Sequence, residues 1–279
     1  MTNLKRISFL VLILMFFKTS ISVGQESFPL NFRKDRDEIN YLYNIQLKKI
    51  EEESEFFEAH IDYPYFQIKE KYEDKEKENL KSINKINNDI NNYIVNFKEN
   101  IKKQSEEYKN EYEISNKDSS LPKFVYEAYS QYDVTYNENN LVSIPILTYE
   151  FTGGAHGMSV LKSFNYNLKT GEELKLSDIF KDNVDYKRII NTYIKEEIKK
   201  NEDLYFTGKA GFKGIDDNHG FYLENDKLII YFQLYEIAPY YVGIPKFEIP
   251  LNEIEGKLNT SLFKKKVDIL RLHLYQRIL

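Results

Sequence analysis

Two segments punctuated by glycine and proline constrain this chain most: Tyr149–Met158 (YEFTGGAHGM) and Leu234–Pro250 (LYEIAPYYVGIPKFEIP). Each starts as an alternating, strand-like run and breaks into a turn suited to glycine or proline. It then resumes as a strand. Both therefore place rigid turns between strands.

The surrounding pattern fills in the elements. Ile45, Leu47 and Ile50 alternate with polar residues, Glu51–Ser54 reads as a turn, and Phe56–Tyr63 completes a hairpin that Pro64 should close. From Asp74 to Lys109 the spacing predicts a long helix. Ile83, Ile86, Ile90, Ile94, Phe97 and Ile101 recur every three or four residues, with Asn, Lys and Glu opposite. Such a stripe belongs against a sheet, although a coiled coil has the same period. Phe124–Tyr136 then reads as one strand and Asn137–Asn140 as a turn. Leu141–Phe151 and Val160–Leu168 follow as further strands. A helix followed by a meander points to antiparallel α+β and away from βαβ. The second half repeats the plan, with a connector at Leu176–Phe180, a helix over Asp185–Lys200 and a Gly-rich loop at Thr207–Gly214. Strands are expected at Phe221–Leu223, Leu228–Leu234 and Lys246–Ile249, with Asn225-Asp226 as a hairpin turn.

The N-terminus reads as an export signal. Lys5 and Arg6 precede an apolar stretch, Ile7–Phe17, and Ser22-Val23-Gly24 offers small residues for cleavage before Gln25. That stretch is shorter than the ~20 residues a membrane span requires. Lys18 interrupts the pattern, so an uncleaved N-terminal anchor is the alternative. With Cys 0 there is neither a lipid-anchoring cysteine nor a disulfide, which suits a Gram-positive surface better than a disulfide-forming compartment. Losing Lys5, Arg6 and Lys18 takes the net charge from −5 to −8. This balance argues against nucleic acid, favours a cationic partner, and also simply serves solubility. The expected organisation is a signal at 1–24, a mobile leader at 25–43, α+β halves at 44–170 and 171–256, and a basic helical tail at 257–279. The tail interleaves Lys264–Lys266, Arg271 and Arg277 with apolar residues. Packing on the domain is its plainer role, and contact with an anionic membrane is the alternative.

Candidate chemistry is sparse. His156 has no second histidine at ligand spacing, since His60, His219 and His273 are scattered, and a zinc site has no support. Flanked by Gly154 and Gly157, its imidazole fits a tight turn bonded to backbone, a partner-contacting turn, or, with no visible catalytic partner, catalysis. Thr207–Gly214 lacks the Gly-Lys-Ser/Thr ending of a phosphate loop. Tyr235, Tyr240 and Tyr241 around Ile237–Pro239 either present recognition surface or pack inward with wet hydroxyls. Glu150 and Glu236 come close if the two motif turns share one end of the sheet. Paired carboxylates serve glycosidases, yet they also arise by chance in an acidic chain. No Gly-x-Ser-x-Gly elbow is present.

Phe151–Gly157, Tyr235–Pro250 and the order of elements resemble the extracytoplasmic module shared by the anti-sigma-V factor RsiV and PdaC-type peptidoglycan deacetylases. The resemblance spans Ser54 to Glu255. It implies an α+β fold outside the membrane and, in the RsiV branch, binding of lysozyme as the signal for sigma-factor release. Only six residues precede the apolar run, where an anti-sigma factor carries its sigma-binding segment. The chain also stops before a deacetylase domain with its metal-binding Asp and His motifs. The expectation is the module exported alone.

Three readings follow: a surface binding module, an envelope assembly factor, and an enzyme acting on cell-wall sugars. The first takes Phe151, Gly153, Gly154, His156, Gly157, Tyr235, Glu236, Pro239, Tyr240 and Tyr241 as binding residues. It assigns no catalytic residue, metal or cofactor, and its partner is a lysozyme-type protein or a peptidoglycan glycan. Oligomeric state is left open. Amino-terminal sequencing of the exported protein is expected to begin near Gln25. Recovery of intact Met1–Lys18 with the membrane would identify an anchor instead.

Overall fold

The computed structural model describes residues 43–69, 77–115 and 122–263. The export segment, the leader before Tyr43 and the basic tail beyond Phe263 lie outside them. The elements run β1 (Tyr43–Glu53), β2 (Phe57–Ile68), α1 (Lys77–Ser115), β3 (Tyr126–Tyr132), β4 (Tyr136–Glu138), β5 (Leu141–Phe151), β6 (Met158–Asn167) and β7 (Glu172–Glu173). After these come α2 (Tyr186–Lys200), β8 (Phe221–Glu224), β9 (Lys227–Tyr231) and β10 (Lys246–Pro250). A seven-stranded sheet has the order β1-β2-β3-β5-β6-β7, with β4 also beside β5, and a three-stranded sheet has the order β10-β9-β8.

The isoleucine stripe of α1 is buried as its spacing requires. Ile83, Ile86, Ile90, Ile94 and Ile101 are at most 1% exposed and pack with Phe57, Ala59, Ile61, Ala128, Val142, Ile144 and Ile146 from the large sheet. The fold is α+β and mainly antiparallel. One pairing departs from the expected meander: β2 and β3 run parallel, Phe57–Ile61 beside Tyr126–Ser130, with α1 as the crossover. A βαβ unit therefore opens the sheet. The 39-residue helix supplies the length that a parallel return requires.

Several expected boundaries shift. Pro64 does not end β2, which continues to Ile68 opposite β1. The Phe66 N–H points away from β1 and donates to Asn87 Oδ1 of α1 at 2.8 Å, while Asn87 Nδ2 returns a bond to the Phe66 carbonyl. Pro64, two residues earlier, has its nitrogen on that same side, so the β1 ladder loses nothing. The hairpin turn falls after Glu53, with Ser54 N–H donating to the Phe57 carbonyl. The single strand expected over Phe124–Tyr136 is broken: Tyr132 opposes Ile146 but Tyr136 opposes Ser143, so one extra residue bulges out at 133–135. Helix α1 also runs on to Ser115, past Lys109, and β9 stops at Tyr231, short of Leu234.

The small sheet packs on the face of the large one opposite α1. Leu147 and Leu161 meet Tyr222, Ile229, Tyr231 and Ile244 there, and a larger cluster gathers α2 residues Ile190 and Ile194 with Phe221, Leu228, Phe247 and Phe263. Among the described residues strand β8 has no strand partner on its outer side. Side chains of the large sheet serve instead: Ser143 Oγ accepts from Leu223 N–H at 3.1 Å, and Thr135 Oγ1 donates to the Leu223 carbonyl at 2.6 Å. Asn165 Nδ2 donates to the Phe221 carbonyl at 2.8 Å, and Ser163 Oγ donates to the same oxygen. These buried polar groups are satisfied only in one relative placement of the two sheets.

Truncating Ile90 or Ile94 to Ala is expected to cost about 2–5 kcal/mol, as buried Ile truncations do. The exposed Asn91→Ala should cost about 0.5 kcal/mol or less. Chemical denaturation of the three variants checks this, and equal small losses would contradict burial of the stripe.

Candidate functional site

The two motif turns meet. Gly153 and Gly154, at φ +94° and +95°, occupy backbone conformations that side-chain-bearing residues rarely adopt, and they carry β5 round into β6. Gly157 is needed for closeness: a Cβ there would lie 2.4 Å from the Glu150 carbonyl oxygen and 2.4 Å from the Tyr149 ring. Across this contact the Tyr240 hydroxyl donates to the Gly157 carbonyl at 3.1 Å. The Tyr149 hydroxyl also bonds to the Gly157 backbone. His156 stacks on Tyr240 with ring centroids 4.2 Å apart, and its Nδ1 lies 3.0 Å from the Gly157 carbonyl oxygen.

The candidate binding residues divide once placed. His156, Gly157 and Tyr240 form the joint itself. Tyr235 and Tyr241 are 48% and 67% exposed, so two of the three tyrosines face water and Tyr240 packs inward. Tyr235 sits at φ +63°, a strained position for a bulky residue, and its ring lies 5.6 Å from that of Tyr240. Glu236 serves the turn, its carboxylate accepting from Gln233 N–H at 2.7 Å. Pro239 starts the short 3-10 turn Tyr240–Val242. Phe151 packs edge-on against Phe124 and helps to hold the Gly153 end. Glu150 and Glu236 do not form a carboxylate pair. Glu150 lies on the α1 side of β5, where its charge reaches Tyr93, while Glu236 is spent on its own turn.

Beside this joint the sheet face opposite α1 continues uncovered by β8–β10, and it carries two rows of side chains set by register. One row is Glu51, His60, Tyr129, Tyr149 and Ser159, directly opposite one another on β1, β2, β3, β5 and β6. The next row is Glu53, Glu58, Glu127 and Phe151. Tyr129 and Tyr149 stack at 5.9 Å with planes 15° apart, and His60 lies 5.5 Å from Tyr129. Burial raises the Tyr149 and Tyr129 hydroxyls above the usual tyrosine range, and neighbouring Glu127 pushes both further. Burial, then the Glu58 charge, raises the Glu127 carboxyl. Like charges directly opposite on adjacent strands destabilise a sheet, so the row Glu53, Glu58 and Glu127 is not explained by folding. An aromatic row beside a carboxylate row is suited to contacting cationic groups and flat apolar surfaces.

Tyr129, Tyr149, His60 and the glutamates around them are not among the binding residues that the sequence suggests, although Tyr149 opens the first motif and His60 stands there only as an isolated histidine. Their signal was available: Glu127, Tyr129 and Gln131 alternate with the buried Ala128 and Ser130. No sequence rule says that the face carrying them stays uncovered. The remaining histidine in the described residues, His219, lies elsewhere, 4.5 Å from Phe232. No cluster of three His, Asp or Glu side chains able to hold a metal occurs among the described residues.

Comparison with known proteins fits this architecture. Residues 50–159 match the family model described as "Deacetylase PdaC", and residues 177–252 match "Protein of unknown function (DUF3298)". The chain is 29% identical over 138 residues to the peptidoglycan-N-acetylmuramic acid deacetylase PdaC of Bacillus subtilis (strain 168), covering 48% of this chain and 30% of that protein. It is 36% identical over 94 residues to the anti-sigma-V factor RsiV of the same organism, covering 30% and 33%. It is 26% identical over 114 residues to esterase Rv3036c of Mycobacterium tuberculosis, covering 40% and 50%. The chain thus spans half or less of each of these relatives. A crystal structure of a DUF3298 family member from Bacteroides fragilis NCTC 9343 superposes with TM-score 0.62 at 21% identity, over 81% of this chain and 97% of that one, which establishes the shared fold. The chain is thus similar to segments of PdaC and RsiV, and the two family-model matches fall in successive parts of the same fold. Among the described residues no helix is long and apolar enough to cross a membrane.

Gly157→Ala is expected to separate the two turns, because neither the Glu150 carbonyl nor the Tyr149 ring can yield without moving β5. The cost should be about 1–3 kcal/mol, as for overpacking at a closed contact. Thermal unfolding gives the loss, and greater proteolytic sensitivity near residues 235–241 should accompany it. An unchanged melting temperature would refute the closeness argument.

Proposed function

We propose that this chain is an exported, non-catalytic binding module of the cell surface, and that its open face recognises a basic, lysozyme-type protein. The supporting observation is the stacked row His60, Tyr129 and Tyr149, flanked by Glu51, Glu58 and Glu127 and continued through Gly157 to Tyr240 and Tyr235. Rigid tyrosines bind at low entropic cost, and carboxylates beside them attract a cationic surface. The likeness to RsiV supports the choice of partner. The net charge of −5, or −8 after loss of the export segment, favours rapid association with a basic protein. The deacetylase and esterase activities are those of relatives that this chain matches over half their length or less, and the described residues of the tyrosine–glutamate face hold no Ser–His or Cys–His pair.

A peptidoglycan glycan is the competing ligand, because sugar rings also stack on tyrosine. Calorimetric titration of lysozyme and of a soluble glycan fragment separates the two. Tyr129→Ala, Tyr149→Ala and Tyr235→Ala should each weaken lysozyme binding about tenfold or more, mainly through the off-rate, in a chain that remains folded. Raising salt should slow association. Binding of the glycan alone would transfer the face to the cell wall, and binding of neither ligand to folded protein would leave envelope assembly as the surviving reading.

A further inference from the structure

We infer that His60 is a built-in counter-cation of the open face, which keeps Glu51 and Glu58 neutralised at low pH and releases them to a cationic partner as pH rises. The geometry is specific. Nδ1 of His60 lies 3.0 Å from Glu51 Oε2 on β1, and Nε2 lies 2.7 Å from Glu58 Oε1 on β2. Ionised carboxylates only accept hydrogen bonds, so both contacts are satisfied together when both ring nitrogens carry protons, that is, in the imidazolium form. The neutral ring can donate to one carboxylate and must then turn a lone pair toward the other.

The surroundings reinforce that charge. Along β2, Glu58 and Asp62 flank His60, and Asp62 is engaged by Lys49 of β1 at 3.3 Å. From β1, Glu51 and Glu53 lie on the same face. From β3, Tyr129 lies beside the ring and Glu127 one step along. Lys49 is the one fixed cation in this set, and it pairs away from Glu51 and Glu58. The hydrogen bond to Glu58, followed by that to Glu51, outweighs partial burial and raises the His60 pKa above its ordinary 6.5. The clamp's contribution to folding is therefore complete below pH 6.5 and fades as pH rises through the raised value. Binding runs the other way: loss of the imidazolium leaves the two carboxylates without a counter-charge on an accessible surface, Glu58 keeping its hydrogen bond from the Tyr129 hydroxyl and His60 being 51% exposed. A lysine or arginine from a partner then takes the place of the imidazolium, with Tyr129 as its platform.

The inference rests on the proposal that this face binds a basic protein, and lysozyme is the probe. Affinity of the whole protein should rise by about three- to tenfold from about pH 6 to about pH 9 at constant ionic strength, in line with one local charge gained. His60→Gln should bind at the lower pH as tightly as wild type does at the higher one, with the pH slope removed. In NMR titrations the His60 ring should titrate above 6.5, and Glu58→Gln should bring it down. Tight binding with a slope that His60→Gln leaves intact, or a His60 ring titrating at or below 6.5, overturns the inference while leaving the binding face standing. No binding at any pH overturns both.

Discussion

The outer edge of β8 holds the molecule together. A strand edge buried without a neighbouring strand leaves N–H and C=O groups unpaired, at a cost of about 1–3 kcal/mol each. Here Ser143, Thr135, Asn165 and Ser163 supply those partners from the large sheet. Hydrogen bonds are directional where apolar contact is not. The same two sheets could slide over Leu147 and Leu161 at little loss, but they cannot slide past these bonds. The bulge at 133–135 belongs to the same device, because it turns Thr135 toward Leu223.

That fixed placement positions the open face. Once β8 is held, β9 and the segment after it are held, and Tyr240 reaches Gly157. The small sheet covers Leu147 and Leu161 and stops, so Tyr129 and Tyr149 lie just beyond its border. The surface runs from the joint at Gly157 to the β1–β2 hairpin, whose His60 and Glu51 end its row. Its charge is arranged at some expense to the sheet, since Glu53, Glu58 and Glu127 stand side by side where a single lysine would relieve them. Nearby Lys98 and Lys102 instead hold Glu52, which points to the α1 side.

Much of this was written locally in the chain. The stripe from Ile83 to Ile101 announces both the helix and the face it buries, because a 3.6-residue period has one geometric consequence. Asn139 and Asn140, both at positive φ, make the turn that their residue types favour, and Gly153 and Gly154 do the same at the motif. The joining of the two motif segments was partly legible, since both are rigid and both carry aromatic rings. Their actual bond, Tyr240 to the Gly157 carbonyl, was not. Pro64 misled for a related reason: proline ends a strand only when its nitrogen is needed by a partner, and Asn87 of α1 replaces the strand that would have needed it.

The sequence by itself determined the elements, their apolar faces, the absence of a disulfide framework and the family likeness of the module. These depend on period, turn chemistry and composition, which act between near neighbours. Tertiary structure alone decided that β2 and β3 lie parallel, that β8 is capped by side chains, and that His60, Tyr129 and Tyr149 share a row left open to water. Those facts depend on which distant strands become adjacent and on how far one layer covers another. Register across a sheet joins residues such as Glu51, His60 and Tyr149, and no short-range pattern along the chain encodes that they will meet.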